Sequence, residues 1–69
     1  MRYGVVVERA GNNFSGYVPD LPGCVSVGDT VDETLQGLHE AIVLYRDQSR
    51  RDGEAVPLPS ASVSYIDVP

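Results

Sequence analysis

Apolar positions along the chain change their spacing three times, and each change marks an element. Tyr3 to Glu8 carries three consecutive valines and alternates poorly, which predicts a strand with apolar neighbours on both faces. Ala10-Gly11-Asn12-Asn13 is turn chemistry, and Phe14-Ser15-Gly16-Tyr17-Val18 reads as the returning strand of a hairpin. Pro19 withdraws a backbone donor and ends it. Asp20-Leu21-Pro22-Gly23 is a turn, because proline fixes φ and glycine accepts a positive one. Cys24 to Val27 then alternates with period two, as a short strand does, and Gly28-Asp29-Thr30 stops it.

The spacing next changes to three and four. Val31, Leu35, Leu38, Ile42 and Tyr45 form one stripe, with Thr34 and Ala41 at its edges, and predict a helix from about Val31 to about Arg51. Thr30 with Glu33 makes a capping box at its start. Asp32 and Glu33 in the first turn and Arg46, Arg50 and Arg51 near the last complement the helix dipole, and Asp47 can pair with Arg51. Gly53 suits the position just past the helix end. Glu54 to Ser60, with Pro57 and Pro59, is an extended connector, and Ser62 to Val68 reads as a last strand. The expected architecture is one α+β domain over residues 1–69, a two-layer β-β-β-α-β sandwich.

One helix covers only one face of such a sheet. Tyr3, Val5 and Val7 on one face against Val6 on the other leave an apolar face open, which predicts a homodimer or larger homo-oligomer. Size points the same way, since 69 residues bury only roughly 60% of the unfolded surface. Ten acids against five arginines and no lysine give a net charge of −5, a surface that repels phosphate backbones and suits a basic partner. A single cysteine cannot form an internal disulfide and fits a reducing cytoplasm. No signal-like or membrane-spanning apolar segment is expected.

The residue types that carry chemistry have structural explanations. Cys24 and His39 could make a thiol–base pair, but nothing nearby orients them, and Cys24 suits a packed position beside its turn. Asp29, Asp32 and Glu33 belong to the helix start and Asp20 to its turn. Glu8 and Glu40 remain as two scattered acids that make no metal cage. No cofactor, metal, nuclease or hydrolase activity is expected. Val43 and Leu44 lie off the helix stripe, a small exposed apolar feature and a candidate contact surface.

The run Gly16-Tyr17-Val18-Pro19-Asp20-Leu21-Pro22-Gly23-Cys24, then Gly28-Asp29-Thr30, Glu33, Glu40-Ala41 and Gly53-Glu54 with Pro57 and Pro59, resembles the HicB-like antitoxin family. Its most specific part is D-L-P-G-C followed by G-D-T and the helix. The resemblance implies a partial ribonuclease H-like fold, with the last strand returning beside the first, and an oligomer. It also implies a partner, a small basic HicA-type ribonuclease whose catalytic surface the antitoxin covers. Many such proteins continue into a C-terminal DNA-binding segment. This chain stops at Pro69, so no DNA binding by it alone is expected. On this reading the toxin meets an apolar centre at Val43 and Leu44 or on the open sheet face, with Asp20, Glu40 and Asp47 at its rim. The alternative is a stand-alone oligomeric regulatory or small-molecule-binding domain without enzymatic activity.

Overall fold

A computed structural model describes residues 1–69. Three antiparallel strands in the order β1-β2-β3 are crossed by one helix: β1 (Val6–Ala10), β2 (Asn13–Tyr17), β3 (Val25–Gly28) and α1 (Val31–Arg51). The β1–β2 hairpin closes on only two residues, Gly11 and Asn12. Gly11 takes φ 66° while no non-glycine residue has a positive φ, so glycine stands at the first central position, as a type II′ turn requires. Ala10 and Asn13, expected in the turn, are therefore paired with each other. The ladder ends at Val6 opposite Tyr17, later than the expected start at Tyr3. Beyond Tyr17 the Val18 N–H donates to the Cys24 carbonyl at 3.1 Å and Pro19 has no N–H, so β1 finds no further partner.

The segment from Val18 to Cys24 is two consecutive β-turns. Leu21 N–H donates to the Val18 carbonyl across Pro19-Asp20, and Cys24 N–H donates to the Leu21 carbonyl across Pro22-Gly23, each at 3.1 Å. Gly23 has φ 85°, the value a type II turn needs after its proline. The three corner residues Val18, Leu21 and Cys24 all turn inward. With Leu38 from α1 they form the buried core, and Tyr3, Val5, Val7, Ala41, Ile42, Tyr45 and Val56 pack around it. The motif expected to be a turn is thus also most of the core. Cys24 precedes β3 instead of opening it.

Both helix ends are specified. Thr30 Oγ1 accepts from Glu33 N–H at 3.0 Å, and the Glu33 carboxylate reaches back to the Asp29 N–H at 2.9 Å, one residue earlier than in a standard capping box. At the other end Gly53, with φ 69°, and Glu54 donate to the Arg50 and Ser49 carbonyls at 3.3 and 2.8 Å, which is a Schellman motif.

The buried stripe of α1 is rotated from the expected one. Thr34 and Leu38 are fully buried and Ala41, Ile42 and Tyr45 partly so, whereas Val31 and Leu35 are exposed. The reason lies in the glycines opposite. A Cβ on Gly16 would sit 2.8 Å from Leu38 Cδ1 and 3.0 Å from Thr34 Cγ2, and one on Gly28 would sit 2.8 Å from the Thr34 nitrogen. Sheet and helix approach so closely there that only small residues fit, and Thr34 takes the place expected for a larger side chain. Its hydroxyl is satisfied by the Thr30 carbonyl at 2.8 Å.

The expected fourth strand over residues 62–68 does not form. No backbone hydrogen bond joins residues 55–69 to any strand. The connector is nonetheless anchored: Tyr3 Oη donates to the Pro57 carbonyl at 2.6 Å, and Asp20 receives Ser60 and Ala61. Ala61 lies against Gly4, so the segment does come back beside the start of the chain. Residues 62–68 continue past that point as an exposed extension, and the observed order is β-β-β-α.

Candidate partner-binding site

The outer face of α1 brings four of the five candidate contact residues together. Glu40, Val43, Leu44 and Asp47 follow one another at spacings of three, one and three and are all exposed, Leu44 at 68%. Their side chains lie over one side of two successive turns. Leu44 and Asp47 also line an open groove of about 460 Å³ between the helix and the Gly23–Cys24 corner, floored by Ala41 and Tyr45. Asp47 pairs with Arg50 at 3.9 Å, and not with Arg51 as expected. Arg50 three residues on is as close a neighbour on the helix, and the contact, long and exposed, contributes little. Arg46 differs from Arg50 and Arg51 in being half-buried, with its Nε shielded from water and unpartnered.

Asp20 does not belong to this face. Its Oδ2 accepts from the Ser60 and Ala61 N–H groups, each at 3.0 Å, and its Oδ1 from the Ser60 hydroxyl at 2.8 Å. These bonds, the Ala61 one first, hold its carboxyl below the usual carboxylate range. The side chain expected at a partner's rim clamps the connector at the surface of the protein.

The other predicted chemistry is placed apart. Cys24 is buried, burial pushes its thiol up, and the Sγ–H donates to the Ala41 carbonyl at 3.7 Å, while His39 is exposed. A neutral, enclosed thiol is a packing group. No three His, Cys, Asp or Glu side chains are gathered so as to hold a metal ion. No helix is long and apolar enough to cross a membrane.

Sequence reasoning set Tyr3, Val5 and Val7 against Val6 on opposite sheet faces; the structure puts Val6 on the uncovered one and adds neighbours that were missed. The register places Val6, Tyr17 and Val25 in one row across the three strands and Glu8, Ser15 and Val27 in the next. Tyr17, Val25 and Val27 are exposed. The V-S-V alternation of β3 was the signal: with Ser26 against the helix, both valines must face away.

Fold and surface together define a small α+β protein with no gathered catalytic groups, one apolar sheet face and one acidic-rimmed apolar helix face. Exposed apolar patches of this kind mark candidate interaction surfaces. Residues 3–69 match the family model described as the HicB-like antitoxin of bacterial toxin-antitoxin systems, and the chain belongs to that family. It is 35% identical over 72 residues to Antitoxin HicB 1 of Photorhabdus laumondii, covering all of this chain and 46% of that protein. A 14.9 kDa protein encoded in the rep-hol intergenic region of Haemophilus phage HP1 is 33% identical over 69 residues, all of this chain and 52% of its own length. A UPF0150 protein of Thermoplasma acidophilum is 34% identical over 65 residues, 88% and 90% of the two chains. The chain thus spans about half the length of the first two relatives. Among solved structures, the HicA3 and HicB3 toxin-antitoxin complex contains a chain that matches with a TM-score of 0.72 at 25% identity, over 87% of this chain and 70% of that one.

Proposed function

We propose that this chain is the toxin-binding part of an antitoxin, which neutralises a small basic HicA-type ribonuclease by binding it and covering the surface that meets RNA. The observation that carries this reading is the helix face Glu40-Val43-Leu44-Asp47: an exposed apolar pair between two acids, in a chain whose fold matches one in a HicA3 and HicB3 complex. A ribonuclease must attract phosphate, so its surface is basic, and a −5 chain without lysine is complementary to it and repels its RNA substrate. Leu44, beside the groove, supplies the apolar anchor, and Glu40 and Asp47 the charged rim. Occlusion needs no chemistry from the antitoxin. The same charge makes residues 1–69 a poor surface for operator DNA.

The test is binding and growth rescue with a HicA-type ribonuclease. Wild-type affinity falls as salt rises, through a slower association rate. Leu44→Arg, at an exposed position, leaves the helix signal in circular dichroism unchanged and weakens binding by about tenfold or more, as loss of a central anchor does. Full binding and rescue by Leu44→Arg would move the interface off this helix face. Failure of the wild type to bind any such ribonuclease would remove the antitoxin reading.

A further inference from the structure

β3 is an edge strand: the sheet order is β1-β2-β3, and β3 pairs only with β2. The bond from Val18 N–H to the Cys24 carbonyl sets the parity of that pairing. Ser26 and Gly28, two and four residues on, turn their backbone groups toward β2. Val25 and Val27 therefore turn theirs outward, two N–H donors and two carbonyls with no partner. On the helix side Ser26 touches Gly37 and Gly28 meets Glu33, so α1 lies directly over β3 and one flank of it follows the free edge. That flank is acidic. Glu33, Glu40 and Asp47 recur every seven residues on one side of the helix, all exposed, with Leu44 among them and Arg51 as the one base. Before Val25 the edge runs into the groove between the Gly23–Cys24 corner and α1, lined by Ala41, Leu44 and Asp47.

We propose that the β3 edge takes an extended segment of a basic partner protein as an added strand, one in which basic and apolar residues alternate. Main-chain hydrogen bonds to Val25 and Val27 supply the attachment, and the side chains supply the choice of partner. Residues of the added strand beside Ser26 face the acidic flank of α1, whereas those beside Val25 and Val27 extend the open apolar face that carries Tyr17. About seven extended residues span the ~21 Å of helix from Glu33 to Asp47. In the groove, Ala41 and Leu44 suit the aliphatic stem of a basic side chain and Asp47 its charged head. Charge decides against a second copy as occupant. A copy paired edge to edge would set its own acidic flank beside this one, and its exposed residues 62–68 carry Asp67 and no base. The inference deepens the proposed function and rests on it for the identity of the basic partner.

The test is an NMR titration of the isotope-labelled protein with a peptide of about seven residues alternating lysine and valine. The Val25 and Val27 amides are expected to shift and to exchange more slowly with solvent, while those of Ser26 and Gly28, already facing β2, move less. Val27→Pro removes one outward donor at an edge position where proline is tolerated. The helix signal in circular dichroism stays, and the peptide dissociation constant rises by about tenfold. Glu40→Arg, on the exposed flank, gives a similar rise that fades at high salt. Equal binding of a peptide alternating glutamate and valine would overturn the proposal. So would shifts confined to Val6–Ala10, shifts of Val25 and Val27 with protein concentration alone, or unchanged binding by Val27→Pro. A HicA-type ribonuclease in place of the peptide separates the two readings. If it binds wild type and Val27→Pro alike, the edge is not its site and the antitoxin reading stands. If the peptide binds and no such ribonuclease does, the edge stands and the antitoxin reading falls.

Discussion

At Gly28 the end of the sheet and the first turn of the helix come closer than a methyl group allows. A Cβ there would meet the Thr34 nitrogen at 2.8 Å and Glu33 Cβ at 2.9 Å, and the nitrogen belongs to the capped first turn, which cannot yield without opening. Gly28 has no positive φ, so the constraint is space alone. Gly28→Ala is expected to destabilise by about 1–3 kcal/mol, the usual cost of overpacking. That is a fall in Tm of about 4–8 °C for each kcal/mol in a domain of this size, read by thermal melting. An unchanged Tm would mean that helix and sheet can slide apart at this corner. Gly16 and Gly37 act alike, the latter facing Ser26 across the same interface. These small residues are why Thr34, and not Val31 or Leu35, occupies the centre of the packed stripe.

The helix is the element whose limits are most strongly encoded, and they fall at Val31 and Arg51 as the periodicity and caps predict. Its start depends on one hydroxyl. Thr30 Oγ1 satisfies the Glu33 N–H, and the Thr30 carbonyl takes both the Thr34 N–H and the Thr34 hydroxyl. Thr30→Ala is expected to cost about 1 kcal/mol, and Thr30→Ser to restore most of it, in urea unfolding followed by circular dichroism. Equal losses in the two variants would assign the effect to packing of the Thr30 methyl group. The double turn is encoded differently, by its two prolines and Gly23. What those residues do not announce is that Val18, Leu21 and Cys24, three apart, all face the core.

For the molecule as a whole, one carboxylate holds the connector to the body. Asp20 receives three hydrogen bonds from residues 40 and 41 positions further on, and its pKa is lowered by them. A depressed folded pKa means that the contribution to stability is complete above the unfolded-state value, about 3.9, and is lost as pH falls through the lower folded value. In an NMR titration the Ser60 and Ala61 amide resonances are expected to move with a midpoint below that value, and to stay insensitive in Asp20→Asn. A midpoint at or above it would contradict the clamp.

What the chain determines by itself is local. Turn types follow from proline and from glycine at positive φ, helix ends from hydroxyl and glycine caps, and strand faces from alternation, because each rests on residues within one turn of one another. Three strands, one helix, the open sheet face and the Glu40-Val43-Leu44-Asp47 surface could therefore be read in advance. What only the tertiary structure decided depends on groups distant in sequence. The helix rotation was set by glycines on the strands opposite. Asp20 became a clamp because Ser60 and Ala61 arrive beside it. Residues 62–68 show the limit most plainly: strand composition makes a strand only where its backbone groups meet those of a neighbour, and here the segment reaches Gly4 without bonding to β1.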